Sequence, residues 1–154
     1  MYLSGIDYES IADGIGVRCV LFVSGCKHNC KGCHSLKTHD FKNGVEVTDE
    51  LIKEINYEIS KRSFLSGITL SGGDPMYSAK ECVELLNKLD IPKNNVWIYS
   101  GFTFEEICKD PDMLSLLKKC DVLVDGMFME DLRDITLDFR GSSNQRIINI
   151  NEAL

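Results

Sequence analysis

Three cysteines stand within eight residues, in Gly25-Cys26-Lys27-His28-Asn29-Cys30-Lys31-Gly32-Cys33-His34. Their spacing, C-x3-C-x2-C, lets one loop wrap a metal centre. Thiolates are the usual ligands of iron–sulfur clusters, and a cubane cluster takes four ligands. Cys26, Cys30 and Cys33 would supply three and leave one iron open to a chelating small molecule. Gly25 and Gly32 allow the backbone to approach inorganic sulfides closely, and amides directed at a cluster stabilise its charge. Structural zinc suits the spacing equally well, with His28, His34 or His39 completing a Cys3His set. The cysteine stretch alone leaves both readings open.

A second stretch bears on that choice. Leu70-Ser71-Gly72-Gly73-Asp74-Pro75 closes a predicted strand, and the carboxyl ends of strands are where α/β sheets bind ligands. Two residues without side chains leave strand-end carbonyls open to an α-amino group, and Asp74 adds an acceptor for a cationic amine. The bland alternative is a Gly-Gly turn before Asp-Pro, a common loop signal. Weaker candidates are Asp125, for a ribose or the path of a substrate, and Ser100 and Gly101 at an equivalent strand end. Arg140 and Arg146 could meet a partner or a carboxylate, although surface salt bridges are the ordinary reading. Cys19, Cys82, Cys108 and Cys120 fall in predicted elements and read as core. His28 and His34 border the loop as contacts to ligand or solvent, and Trp97 and Tyr99 read as packing residues.

The elements that must position these residues alternate. Residues 17–23 form an apolar, β-branched run suited to a strand buried on both faces. Strands are also predicted at 67–71, 96–100, 121–126 and 146–150. A helix to residue 62 starts from Thr48 as N-cap, with Asp49 and Glu50 in its first turn. Ser78…Glu81 and Thr103…Glu106 match capping boxes, and Pro111 interrupts the helix after the second. Residues 1–16 read as mixed and ending in a glycine turn, 37–46 as polar, and 127–145 as a loop with a short helix around Glu130 to Arg133. Such alternation predicts βαβ units. The fold class is α/β: an open partial (βα) barrel of about four or five mainly parallel strands, in one domain spanning 1–154.

Composition narrows the rest. The chain has 154 residues, 44% hydrophobic and 27% charged, with a formal net charge of −7, ordinary values for a soluble globular domain. The acidic balance argues against a nucleic-acid partner. No apolar stretch approaches the roughly 20 residues of a spanning helix, and no leader is visible at Met1. These features predict a cytoplasmic protein without a membrane partner. Seven cysteines, an odd count, favour metal ligation or burial over disulfides there.

Cys26-x3-Cys30-x2-Cys33 followed by Gly72-Gly73-Asp74-Pro75 resembles the radical S-adenosylmethionine superfamily. Gly14-Ile15-Gly16-Val17-Arg18 and Phe22-Val23-Ser24-Gly25-Cys26 look like its activating enzymes of glycyl radical proteins. Residues 121–126 and 139–146 narrow the resemblance to the activating proteins of anaerobic ribonucleoside-triphosphate reductase. It runs from about residue 12 to 148. Gly32 stands where the superfamily often has an aromatic residue, and Ser35 where activating enzymes usually have Asn.

The resemblance implies a 4Fe-4S cluster on Cys26, Cys30 and Cys33, with S-adenosyl-L-methionine on the open iron. Gly32, Cys33, His34, Gly72, Gly73, Asp74, Ser100 and Asp125 would line the cofactor site. It further implies the large, glycyl radical subunit of the reductase as partner and an electron donor such as flavodoxin or ferredoxin. A pyruvate formate-lyase-type activase and a non-catalytic zinc-binding module are the alternatives.

Overall fold

The computed structural model describes residues 1–32 and 36–154; Cys33, His34 and Ser35 lie outside the described residues. The strands are β1 (Tyr2–Ser10), β2 (Arg18–Val23), β3 (Val45–Glu46), β4 (Gly67–Gly72), β5 (Val96–Tyr99), β6 (Val122–Asp125) and β7 (Arg146–Asn149). The helices are α1 (Asp49–Ser60), α2 (Ala79–Lys88), α3 (Phe104–Cys108), α4 (Pro111–Leu117) and α5 (Ile150–Ala153). The strands make one seven-stranded sheet, ordered β3-β1-β2-β4-β5-β6-β7.

The four central strands β2, β4, β5 and β6 are parallel, as the alternation predicts. The expected strand count is corrected from four or five to seven. β1 pairs antiparallel with β2 and β3, and β7 pairs antiparallel with β6. The amino-terminal strand escapes a sequence reading because Tyr2–Ser10 is mostly half-buried and polar, with two irregularities of register against β2. The two-residue β3 exists only through its pairing with Tyr2 and Leu3.

The core follows from register. Leu21, Leu70, Ile98 and Leu123 align across the four parallel strands. All four are completely buried. Helical residues Ile52, Ile55, Ile59, Leu85, Ile107 and Leu116 close over that face in the same cluster. The alternate register holds Val20, Thr69 and Trp97, which are also buried. On that face Phe139 packs edge-on against Trp97, with centroids 5.4 Å apart. The strap of residues 127–145 therefore crosses it.

Arg18 holds the end of the sheet remote from the cysteines. It is 1% exposed and, among the described residues, has no carboxylate within salt-bridge distance. Its guanidinium donates to Thr69 Oγ1, the carbonyls of Ile15, Ile68 and Asn95, and Asn95 Oδ1. Burial lowers its pKa to about 10. Engaging all three of its nitrogens makes so deep a guanidinium tolerable. Cys19, Cys82 and Cys120 are buried and Cys108 half-buried. Burial raises the Cys19 thiol to about 12, so it stays protonated and serves as a small apolar side chain.

Helix starts show where local signals sufficed. Thr48 caps α1 through Leu51 N, and Thr103 with Glu106 forms a complete capping box. Pro111 opens α4 at its first turn, behind the N-cap Asp110. The capping box expected at Ser78 is absent: its side chain makes no cap bond to α2. A short 3-10 turn, Pro75–Ser78, capped by Asp74, runs straight into that helix.

Candidate functional site

Because β2, β4, β5 and β6 are parallel, their carboxyl ends lie along one edge of the sheet. That edge carries Gly25 and Cys26, then Gly72 to Asp74, then Ser100 and Gly101, then Asp125 and Gly126. The first two segments are laced by backbone. Gly73 N–H donates to Val23 O at 2.8 Å, and Asp74 N–H donates to Gly25 O at 2.8 Å. The returning chain closes over them, with Gly25 N–H on Thr38 O at 2.6 Å and Cys26 N–H on His39 O at 3.3 Å.

The glycines are required by this lacing. A Cβ on Gly73 would lie 2.6 Å from both Gly25 O and Thr38 O, and one on Gly72 2.6 Å from Val23 N. Gly72 also has φ +106°, a conformation that L side chains rarely adopt. One on Gly101 would strike His28. Gly73→Ala is therefore expected to push the turn off the cysteine loop. A loss of about 1–3 kcal/mol of stability in urea unfolding is the expected cost of overpacking, with weaker iron uptake on anaerobic reconstitution.

Asp74 is the hub. It is 1% exposed, and its oxygens have four donors from its own chain. Oδ2 accepts from His28 Nε2–H at 2.5 Å, Ser100 Oγ–H at 3.0 Å and Gly101 N–H at 2.8 Å. Oδ1 accepts from Met76 N–H at 3.0 Å. One carboxylate thus ties the cysteine loop to the ends of β4 and β5. The His28 ring also packs against Tyr77 and Phe102, at centroid distances of 5.1 and 4.6 Å. Its role as partner of Asp74 was not legible in the spacing, since 46 positions separate them.

Asp125 is likewise buried, at 1% exposure. It accepts from Phe104 N–H at 2.7 Å and from Arg146 at 3.0 and 2.5 Å. Arg146 also donates twice to Glu105. This pairing draws the Glu105 pKa down from 4.5 to about 2. A carboxyl with a lowered folded-state pKa stabilises the fold above its unfolded value and loses that contribution as pH falls toward its folded one. The Glu105–Arg146 clamp is therefore expected to weaken as pH falls from about 4.5 to about 2. NMR titration of the Glu105 carboxyl should show the low midpoint, and Arg146→Gln should move it back up. Glu105 is exposed, so added salt should raise the midpoint as well.

Two hollows meet at this edge. A cavity of about 170 Å³ is walled by Cys26, Cys30, Gly72, Gly73, Ser100 and Tyr99. A wider cleft of about 760 Å³ runs from Cys30 and Lys31 to Asp125, Met127 and Met129. Both are bounded by His28, Cys30, Gly126 and Phe128, so the inner cavity adjoins the cleft. Gly32 is exposed with φ +74°, and a Cβ there would meet Glu130 of the strap at 3.0 Å.

The donor set fits an iron–sulfur cluster. Cys26 and Cys30 are half-buried on the cavity wall. The Tyr99 hydroxyl is buried with no hydrogen-bond partner among the described residues, and burial raises its pKa. Among the described residues no three His, Cys, Asp or Glu side chains are placed to hold a metal ion. His28, one candidate for a zinc set, is engaged by Asp74. Cys33 and His34 lie outside the described residues.

Residues 12–148 match the family model described as a 4Fe-4S single cluster domain. The anaerobic ribonucleoside-triphosphate reductase-activating protein of Vibrio cholerae is 39% identical over 142 residues, covering 89% of this chain and 90% of that one. Its namesake in Enterobacteria phage T4 is 39% identical over 139 residues, with coverages of 88% and 85%. That of Escherichia coli K12 is 36% identical over 143 residues, with coverages of 88% and 90%. The chain therefore belongs to the family of anaerobic ribonucleoside-triphosphate reductase-activating proteins, built on a 4Fe-4S single cluster domain.

Proposed function

We propose that this protein activates an anaerobic ribonucleoside-triphosphate reductase by creating a glycyl radical on its large subunit, as a radical S-adenosylmethionine oxidoreductase. The observation that carries this reading is the lacing of the Gly72-Gly73-Asp74 turn onto the cysteine loop at the parallel strand ends. When bound, a reduced 4Fe-4S cluster with one open iron supplies an electron that splits S-adenosylmethionine into methionine and a 5′-deoxyadenosyl radical, which takes hydrogen from a glycine α-carbon.

The chain's residues bind, orient and shield. Cys26, Cys30 and Cys33 would hold the cluster. Gly72 and Gly73 offer backbone carbonyls to the methionyl amine, and Asp74 fixes that turn and lends it negative charge. Ser100 and Gly32 would border the ligand. Asp125, held by Arg146, lines the wider cleft, on the path of the glycine. The four parallel strands serve as an open partial barrel, whose wide cleft admits a loop of a large protein. An outside carrier, such as a flavodoxin or ferredoxin, supplies the electron. The protein works in the cytoplasm as a single domain without nucleic acid. No helix among the described residues is long and apolar enough to cross a membrane.

Anaerobic incubation of the reconstituted, reduced protein with S-adenosylmethionine should release methionine and 5′-deoxyadenosine. Adding the reductase should produce a glycyl radical signal in electron paramagnetic resonance. Colourless protein holding one zinc and cleaving nothing would sink the reading.

A further inference from the structure

Charge along this chain is segregated. Residues 26–42 contain four lysines, Lys27, Lys31, Lys37 and Lys42, and one carboxylate, Asp40. The remainder holds thirteen basic residues and twenty-three acidic ones. The positive stretch is the cysteine loop and its return. Outside that stretch Lys61, Lys80 and Lys88 stand within salt-bridge distance of Glu58, Asp112 and Asp49. Among the described residues no carboxylate lies within salt-bridge distance of Lys27, Lys31 or Lys42. All three are exposed.

An aromatic ring sits among them. Phe41 is 37% exposed, and Lys27 Nζ stands 5.6 Å from its ring centroid. The ring covers Gly25: a Cβ there would lie 2.2 Å from it. Gly25 precedes Cys26 directly. An exposed ring flanked by two exposed lysines thus lies against the backbone beside the first cysteine. The wide cleft is more mixed, with Glu105, Asp125, Glu130 and Asp131 beside Lys31 and Arg146 and among exposed Met127 and Met129.

We infer that the patch formed by Lys27, Phe41 and Lys42 is the docking surface for an acidic one-electron carrier protein. The inference rests on the proposed iron–sulfur function, which needs an electron from outside. Electron transfer falls steeply with distance, so the carrier must dock beside the cysteines. Redox encounters use small, transient interfaces and are steered by opposite charge. A chain that is negative overall disfavours an acidic carrier, and the excess of lysines beside the cysteines offsets that repulsion where the carrier must approach. The division also leaves the cleft free for the reductase. One electron passes from the carrier's reduced flavin to the cluster, so the carrier is oxidised by one and the cluster reduced by one.

The test compares wild type with Lys27→Glu/Lys42→Glu, both reconstituted anaerobically. Flavodoxin hydroquinone is the probe, and bleaching of the cluster absorbance is the readout. Charge reversal should slow reduction by about tenfold or more at low salt. Wild type should slow between about 0.01 and 0.15 M salt, as the Debye length shrinks from about 30 to 8 Å, while the variant should not. Reduction by methyl viologen radical cation, a small reductant of opposite charge, should not slow. Calorimetry should show weaker flavodoxin binding and unchanged reductase binding. An unchanged flavodoxin rate, equal slowing with viologen, or weakened reductase binding instead would overturn the docking assignment. Protein with no absorbance that viologen bleaches would overturn the iron–sulfur reading beneath it, a separate failure.

Discussion

Cys30→Ala is expected to abolish iron–sulfur loading and, with it, S-adenosylmethionine cleavage. Wild-type protein should hold about four irons and four sulfides per chain, as a cubane cluster does; the variant should hold few or none after the same anaerobic reconstitution. Release of 5′-deoxyadenosine should fall at least ~10³-fold, since no other group on the chain can supply the electron. The fold should survive, because Cys30 lies on a half-exposed loop outside the core cluster. Far-ultraviolet circular dichroism should therefore be unchanged. Cys82→Ala makes the contrast: that thiol is completely buried among core residues, so the change should lower thermal stability yet leave iron content intact. Full iron loading in Cys30→Ala would remove it from the ligand set.

The second large effect concerns Asp74. Asp74→Asn keeps the shape of the side chain and replaces one acceptor by a donor. All four groups around the carboxylate are donors, so either orientation of the amide sets N–H against N–H or O–H. Burial leaves no water to relieve the conflict. Breaking such a buried charged network costs about 3–5 kcal/mol. For a domain of this size, that is a fall of roughly 6–20 °C in melting temperature, measurable by calorimetry on cluster-free protein. An Asp74 that served only to receive the amine of a ligand would leave the melting temperature of the ligand-free protein unmoved. The stability of the empty protein therefore separates an architectural carboxylate from a purely ligand-binding one. Cofactor binding should weaken too, because His28, Ser100 and Gly101 lose their common anchor.

The sequence by itself marked the metal loop and the middle of the sheet. Three closely spaced thiols announce a metal loop because neighbours in sequence must be neighbours in space. The apolar runs that became β2, β4, β5 and β6 declare themselves because both their faces are buried. The cap at Thr48 and the capping box at Thr103 are contacts within a few residues, so they too are written locally. Tertiary structure alone decided the rest. Tyr2–Ser10 becomes a strand only by pairing with β2, and the direction of β7 follows from its pairing with β6. Ser78 yields its expected capping role because a 3-10 turn capped by Asp74 runs straight into α2. Asp74 itself reads locally as an open acceptor; donors 46, 26 and 27 positions away reach it once the strand ends are brought together. Residue types and short spacings record which groups can do chemistry, while the partners that hold those groups are set by register between distant strands.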